Sequence, residues 1–279
     1  MTVTPATAVI QASVSDESVD REVSTGAVLG ALLRRDLRVA RREAPYFLVR
    51  TLMQPVLFLI VFGFLLPKMG FVRGGYTSAL LPGIIAVSLA LSAIQAVALP
   101  MVQDFGWTRE IEDRLLAPVP TALIATEKVL AGAIQGVISG LIVLPIGRLI
   151  MGPIPGLTLE NAVAFISITA LGALTFSAFG LVLGTAIAPQ QIGLMFSIIV
   201  APMLMFGCAY YPWRGLDAIP VMKYAVLVNP LVYVAEGIRA TITPDGPHMP
   251  ILAAAGALVV LAGGFWYAGR RVFMRKAVG

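Results

Sequence analysis

The chain returns again and again to apolar stretches long enough to cross a bilayer, and this repetition limits its fold more than any motif does. A hydrocarbon core of about 30 Å takes roughly 20 apolar residues in helical form. Lipid offers no partner for backbone N–H and C=O groups, so such stretches are read as helices that satisfy those groups internally. Of the 279 residues, 58% are hydrophobic and only 13% are charged, about half the charged share of a soluble domain. The expected class is an all-α membrane protein.

Six transmembrane helices are expected, over about Val49–Leu66, Ser78–Val102, Leu123–Met151, Ala162–Ala188, Ile192–Tyr210 and Ile251–Ala268. A short Ala188–Gln191 turn joins the fourth to the fifth. Residues 1–26 are polar, with Asp16, Glu17, Asp20 and Glu22 against Arg21. They lack the basic start and apolar core of a signal peptide and read as a disordered cytoplasmic tail. Between Val28 and Arg42, Val28, Leu29, Leu32, Leu33, Leu37 and Ala40 recur at helical spacing, while Arg34, Arg35, Arg38, Arg41 and Arg42 fill other positions. That pattern predicts an amphipathic helix in the membrane interface, or a solvated helix end that orients the first span.

Basic residues favour the cytoplasmic side. Arg34, Arg35, Arg38, Arg41, Arg42 and Arg50 precede the first span, Arg109, Arg114 and Lys128 lie between the second and third, and Arg270, Arg271, Arg275 and Lys276 follow the sixth. Both termini are therefore expected in the cytoplasm. The net charge of +5 sits beside apolar runs, where it suits anionic lipid head groups rather than nucleic acid. Helices, and not strands, point to a bacterial plasma membrane instead of an outer membrane.

Catalytic chemistry has little to stand on. One cysteine and one histidine, Cys208 and His248, leave no internal disulfide and no metal cluster to expect. No phosphate-cradling Gly-rich loop, nucleophile elbow or His-Glu-x-x-His occurs. No enzyme activity and no bound cofactor are expected of this chain. Proton relays need intramembrane ionisable groups, and none lies deep inside the expected spans: Glu127 and Lys128 sit near an inner boundary, Arg148 and Glu160 near an outer one. Neutral polar residues remain. Ser88, Ser92 and Gln95 share a face of the second span, Gln135 and Ser139 share a face of the third, and Gln54 lies in the first. They read as interhelical hydrogen-bonding groups or as a substrate path comprising Gln54, Ser88, Ser92 and Gln95. Gly132, Gly136 and Gly140, with Gly180 and Gly184, repeat every four residues and mark close helix packing.

Two connections stand out. The segment Gln103–Pro120 mixes charges with Ile111, Leu115 and Leu116 and ends in prolines. It reads as a short helix that docks on a partner, or as a loop against the membrane. The stretch Tyr211–Pro250 is too apolar for a solvent loop and too broken to span, with Lys223, Glu236 and prolines inside it. Short re-entrant or interfacial helices before the last span fit it best. Glu236 and Arg239, three apart, are placed to pair.

On these stretches the chain resembles the permease subunits of type-2 ABC exporters, notably the daunorubicin-resistance and the nodulation and polysaccharide export permeases. The likeness is carried by the basic helix before the first span and by the run Glu110-Ile111-Glu112-Asp113-Arg114-Leu115-Leu116-Ala117-Pro118-Val119-Pro120. It is carried also by Tyr211-Pro212 through Asn229-Pro230-Leu231-Val232-Tyr233-Val234-Ala235-Glu236-Gly237-Ile238-Arg239. It implies that residues 27–279 form one ABC type-2 transmembrane domain. It also implies pairing with a second permease copy or homologue above two separate ABC ATPase subunits, which use the ATP and Mg. By the same resemblance, Glu110, Glu112, Asp113, Arg114, Leu115 and Leu116 would couple to the ATPase, and Asn229, Pro230, Glu236 and Arg239 would shape an outer gate. The implied cargo is an amphipathic drug, lipid, glycolipid or polysaccharide, exported across the plasma membrane, as in antibiotic resistance. An ion-coupled secondary carrier is the alternative, and a lipid-acting membrane enzyme a third reading.

Overall fold

The computed structural model describes residues 25–42, 44–71, 76–104, 121–152, 154, 156 and 158–278. Among them every regular element is a helix. Helix α1 spans Thr25–Arg42. Helix α2 begins as Ala44–Phe58 and continues through a π-helical stretch, Leu59–Leu65, to Leu66–Lys68. Three long helices follow: α3 (Tyr76–Gln103), α4 (Thr121–Met151) and α5 (Leu159–Ala186). Helix α6, Pro189–Met205, again contains a π-helical stretch, Phe196–Val200. Two short helices, α7 (Pro220–Val228) and α8 (Pro230–Ile242), meet at an angle of 102°, and α9 (Ile251–Val278) ends the fold.

Four helices, α3, α4, α5 and α9, are long and apolar enough to cross a membrane, and the bent pair α7–α8 would make five if it counted as one span. The second, third, fourth and sixth expected spans coincide with the four. The first and fifth correspond to α2 and α6, whose apolar parts are shorter, Leu52–Lys68 and Pro189–Met205. The fifth was expected to reach Tyr210, but the helix stops at Met205. Gly207 and Cys208 follow, and Cys208 has a left-handed backbone (φ 53°), which a continuing helix does not allow.

Helix α3 is the axis of the bundle. Of its apolar stretch 72% is buried inside the protein, against 11% for α9. The two glycine ladders explain how α4 and α5 come so close to it. A Cβ on Gly132 or Gly136 of α4 would lie 2.4 Å from Val97 and 2.9 Å from Ala93. On Gly180 or Gly184 of α5, it would lie 2.9 Å from the Ile94 carbonyl oxygen and 2.8 Å from Met101. All four neighbours belong to α3, so the small residues bring two helix backbones onto one. Ser88 of α3 bonds Ser139 of α4 at 2.7 Å, and the Ser92 hydroxyl donates to the Gln135 carbonyl at 3.2 Å.

The bundle has two distinguishable ends. At one, Val97 and Met101 pack with Ile124, Ala125 and Val129, with Ala178 and Leu181, and with Phe273 of α9. At the other, Cys208, Val226, Val232, Met249 and Ala254 form a separate cluster under α7 and α8.

Candidate functional site: a cap pinned by a buried ion pair

The segment before α9 folds into a cap whose corner is made by Asn229-Pro230. Pro230 takes the first helical position of α8, where its missing N–H costs nothing. The Asn229 side chain accepts from Leu231 N at 2.9 Å and donates through Nδ2 to the Met203 carbonyl at 2.6 Å. One side chain thus starts α8 and satisfies an orphan carbonyl at the end of α6. Helix α8 then dives into the protein. Gly172 of α5 receives Val234, and Gly237 receives Ile168, so close that a Cβ at either glycine would lie 2.8 Å from its neighbour. Tyr233 donates to the Leu227 carbonyl at 2.7 Å, and Trp213 Nε1 to the Lys223 carbonyl at 3.0 Å. The first bond holds α7 against α8, and the second ties α7 to the turn before it.

At the centre lie Glu236 and Arg239, both essentially without exposed surface. Arg239 Nη1 donates to Glu236 Oε1. The same oxygen accepts from Trp213 N at 2.9 Å, and Oε2 accepts from Met249 N at 2.8 Å. Arg239 Nη2 donates to the carbonyls of Cys208 at 3.0 Å and of Ala79 at 3.2 Å. The pair therefore ties α8 to the start of α3, to the turn after α6 and to the strand of chain leading into α9. Burying two charges is costly unless they are paired and their remaining hydrogen-bonding positions are filled, and here most of them are. The Cys208 thiol beside the pair is pushed up to about 12, first by burial and then by the Glu236 charge, with Arg239 acting the other way. It stays protonated at neutral pH.

The expected pairing of Glu236 with Arg239 is present, but neither side chain reaches a surface. The exposed side of the cap belongs to α7, through Val221, Tyr224 and Val228. The sequence reading missed Trp213 and Met249, which give backbone N–H groups to the Glu236 carboxylate, and Gly83, where a Cβ would lie 1.6 Å from the Ala209 carbonyl oxygen. A lone glycine in an otherwise bulky apolar helix was the available signal.

Of the residues expected to line a path, Ser88 and Ser92 are buried and spent on α3–α4 hydrogen bonds. Gln95 is part-buried, and Gln54 is exposed on α2. Ser88 and Ser92 thus lie inside the α3–α4 contact, while Gln54 lies on an exposed face of α2. Near Gln54, Phe58 stacks on Phe62 at 5.4 Å and on Tyr210 at 5.1 Å. The expected ATPase-coupling residues Glu110, Glu112, Asp113, Arg114, Leu115 and Leu116 lie outside the described residues. Their flanks do not: Asp104, Glu127 and Lys128 are all buried at the adjoining ends of α3 and α4, the last two 3.9 Å apart.

Residues 27–243, which run from α1 through α8 and include the Glu236–Arg239 pair, match the family model described as ABC-2 type transporter. The chain belongs to that family. It is 30% identical over 235 residues to the inner membrane transport permease YadH of Escherichia coli K12, an alignment covering 78% of this chain and 85% of the relative. The YadH permease of Shigella flexneri is matched to the same extent. The protein is thus a membrane-embedded ABC-2 permease, the transmembrane subunit of an ABC transporter, and membership implies work with an ABC ATPase. It does not favour the ion-coupled carrier. The specific likeness to daunorubicin and nodulation permeases is narrower than these matches reach.

Proposed function

We propose that this permease is the membrane half of an ATP-driven exporter for an amphipathic drug, a lipid, or a glycolipid or polysaccharide. Two permease subunits pair, as two copies or as a copy and a homologue, and two ABC ATPases dock at the end where α3 leaves and α4 returns. ATP and Mg are used by the ATPase, and this chain binds neither. Helices α2 and α6 complete six crossings, both termini lie in the cytoplasm of a bacterial plasma membrane, and residues 27–279 form one transmembrane domain.

One observation carries this reading: the unpartnered faces of α2 and α6. Met53, Leu57, Ile60 and Phe64 on α2, and Leu194, Ile198 and Phe206 on or just after α6, are exposed, while the serines within the bundle are committed to its own packing. A path between two subunits along α2 and α6 fits this distribution, with Gln54 as its polar group. The pinned cap closes that path at the outer end, where Asn229, Pro230, Glu236 and Arg239 hold the gate-forming α7 in place. Glu110, Glu112, Asp113 and Arg114 meet the ATPase, with Leu115 and Leu116 as apolar anchors. ATPase closure then moves these segments and separates the paired faces as rigid bodies.

Co-purification tests the coupling. An ABC ATPase should be recovered with the wild-type chain and lost from E112A/L115A, while the variant still reaches the membrane. Solute movement by the purified chain alone, with no ATPase present, would overturn the proposal.

A further inference from the structure

Helix α1 carries Arg34, Arg35, Arg38, Arg41 and Arg42, and all five are exposed. At 100° per residue they fall within an arc of about 120° on one side of the helix. Only Ala27 and Ala31 share that arc, and the acidic Asp36 falls outside it. Small neighbours and like charges leave the guanidinium groups open to a multivalent anion.

The place of the arc is also defined. Helix α2 starts two residues after α1, and Gly63 near its other end faces Met151, the last residue of α4. Helix α1 therefore sits at the end of the bundle where α4 begins. The basic end of α9 is there too, since Phe273 packs on Ile124 and Ala125. In it, Arg270 lies over the Trp266 ring and Arg271 over Tyr267, at 5.5 and 4.6 Å. Exposed apolar surface begins within about two turns of both clusters, with Val49 on α2 and Tyr267 on α9. A basic arc where the exposed apolar surface of the bundle begins is suited to head-group height.

We propose that the arginine arc of α1 is a binding surface for the phosphodiester head groups of anionic phospholipids. Guanidinium forks match phosphate oxygens in a bidentate way that lysines do not. A protein partner is the poorer fit, because docking interfaces centre on apolar side chains and the arc offers only two alanines. This inference names no leaflet and no cargo, so its failure would leave the transporter reading intact.

Gly30 gives access to the test. It is exposed, a Cβ there meets nothing within 4 Å, and the single native thiol, Cys208, is buried. Full-length G30C protein carrying an environment-sensitive fluorophore is titrated in neutral detergent with short-chain phosphatidylglycerol, with phosphatidylcholine, and with a purified ABC ATPase. A saturable response to phosphatidylglycerol alone, weakened by salt, is expected. R34Q/R35Q/R38Q should raise its midpoint by about tenfold or more, whereas the corresponding lysine variant, which keeps the charge, should lose far less. If the glutamine variant exposes Cys208 to the dye, it has not folded, and R34Q/R35Q with the salt series on the parent decides. Equal curves for the two lipids, an unshifted midpoint in the glutamine variants, or a response to the ATPase instead of lipid would overturn the proposal.

Discussion

Glu236 and Arg239 act as one unit, so their substitutions are expected not to add. E236Q leaves the guanidinium buried without its counter-charge, and breaking such a pair costs about 3–5 kcal/mol. E236Q/R239M removes both charges and should recover much of that loss. Thermal midpoints in detergent, followed by tryptophan fluorescence, would show it, and strict additivity would contradict the pinned cap. Gly83 is a second decisive residue. In G83A the new Cβ falls on the Ala209 carbonyl, so backbone must move and the midpoint should fall by the equivalent of about 1–3 kcal/mol. G30A, in open space on α1, should instead gain about 0.5–1 kcal/mol in helix stability. At this scale the sequence was partly legible. The three-residue spacing of Glu236 and Arg239 announced their pairing, because helix geometry is local. Their partners Ala79, Cys208, Trp213 and Met249 were not legible, because each contributes a backbone group that any residue type carries.

Among the elements, the corner between α7 and α8 is the most exposed to substitution. N229A removes both the cap of α8 and the donor to the Met203 carbonyl. A loss of about 1 kcal/mol is expected for the cap, with more for the stranded carbonyl. Hydrogen exchange should show it first as faster exchange at Leu231 and at the end of α6, with α4 and α5 unchanged. The long helices could be read from the sequence because unbroken apolar length is itself the signal. The short pair could be placed but not oriented. Prolines and charges excluded a straight span, yet nothing local told that α8 would be swallowed and α7 left outside. The π-helical stretches of α2 and α6 had no signature beyond nearby prolines. They belong to the two helices whose assignment as spans remains a proposal.

At the scale of the whole molecule, the proposed pairing makes a geometric prediction. In a C208S background, M53C or L57C on α2 should form disulfide-linked dimers on oxidation in membranes, whereas V259C on the exposed face of α9 should not. Cross-linking at V259C alone would place the partner on the other side. The six-span count read from the sequence and the four long helices of the structure differ because length in a run of letters does not tell where a helix breaks. The enclosure of α3 has a consequence for biogenesis. It emerges from the ribosome before α4, α5 and α8, the helices that will cover most of it. Its serines and Gly83 must therefore wait among lipid tails or translocon walls until later segments arrive. Any delay between the synthesis of α3 and that of α4 should make the nascent permease a target for quality-control proteases.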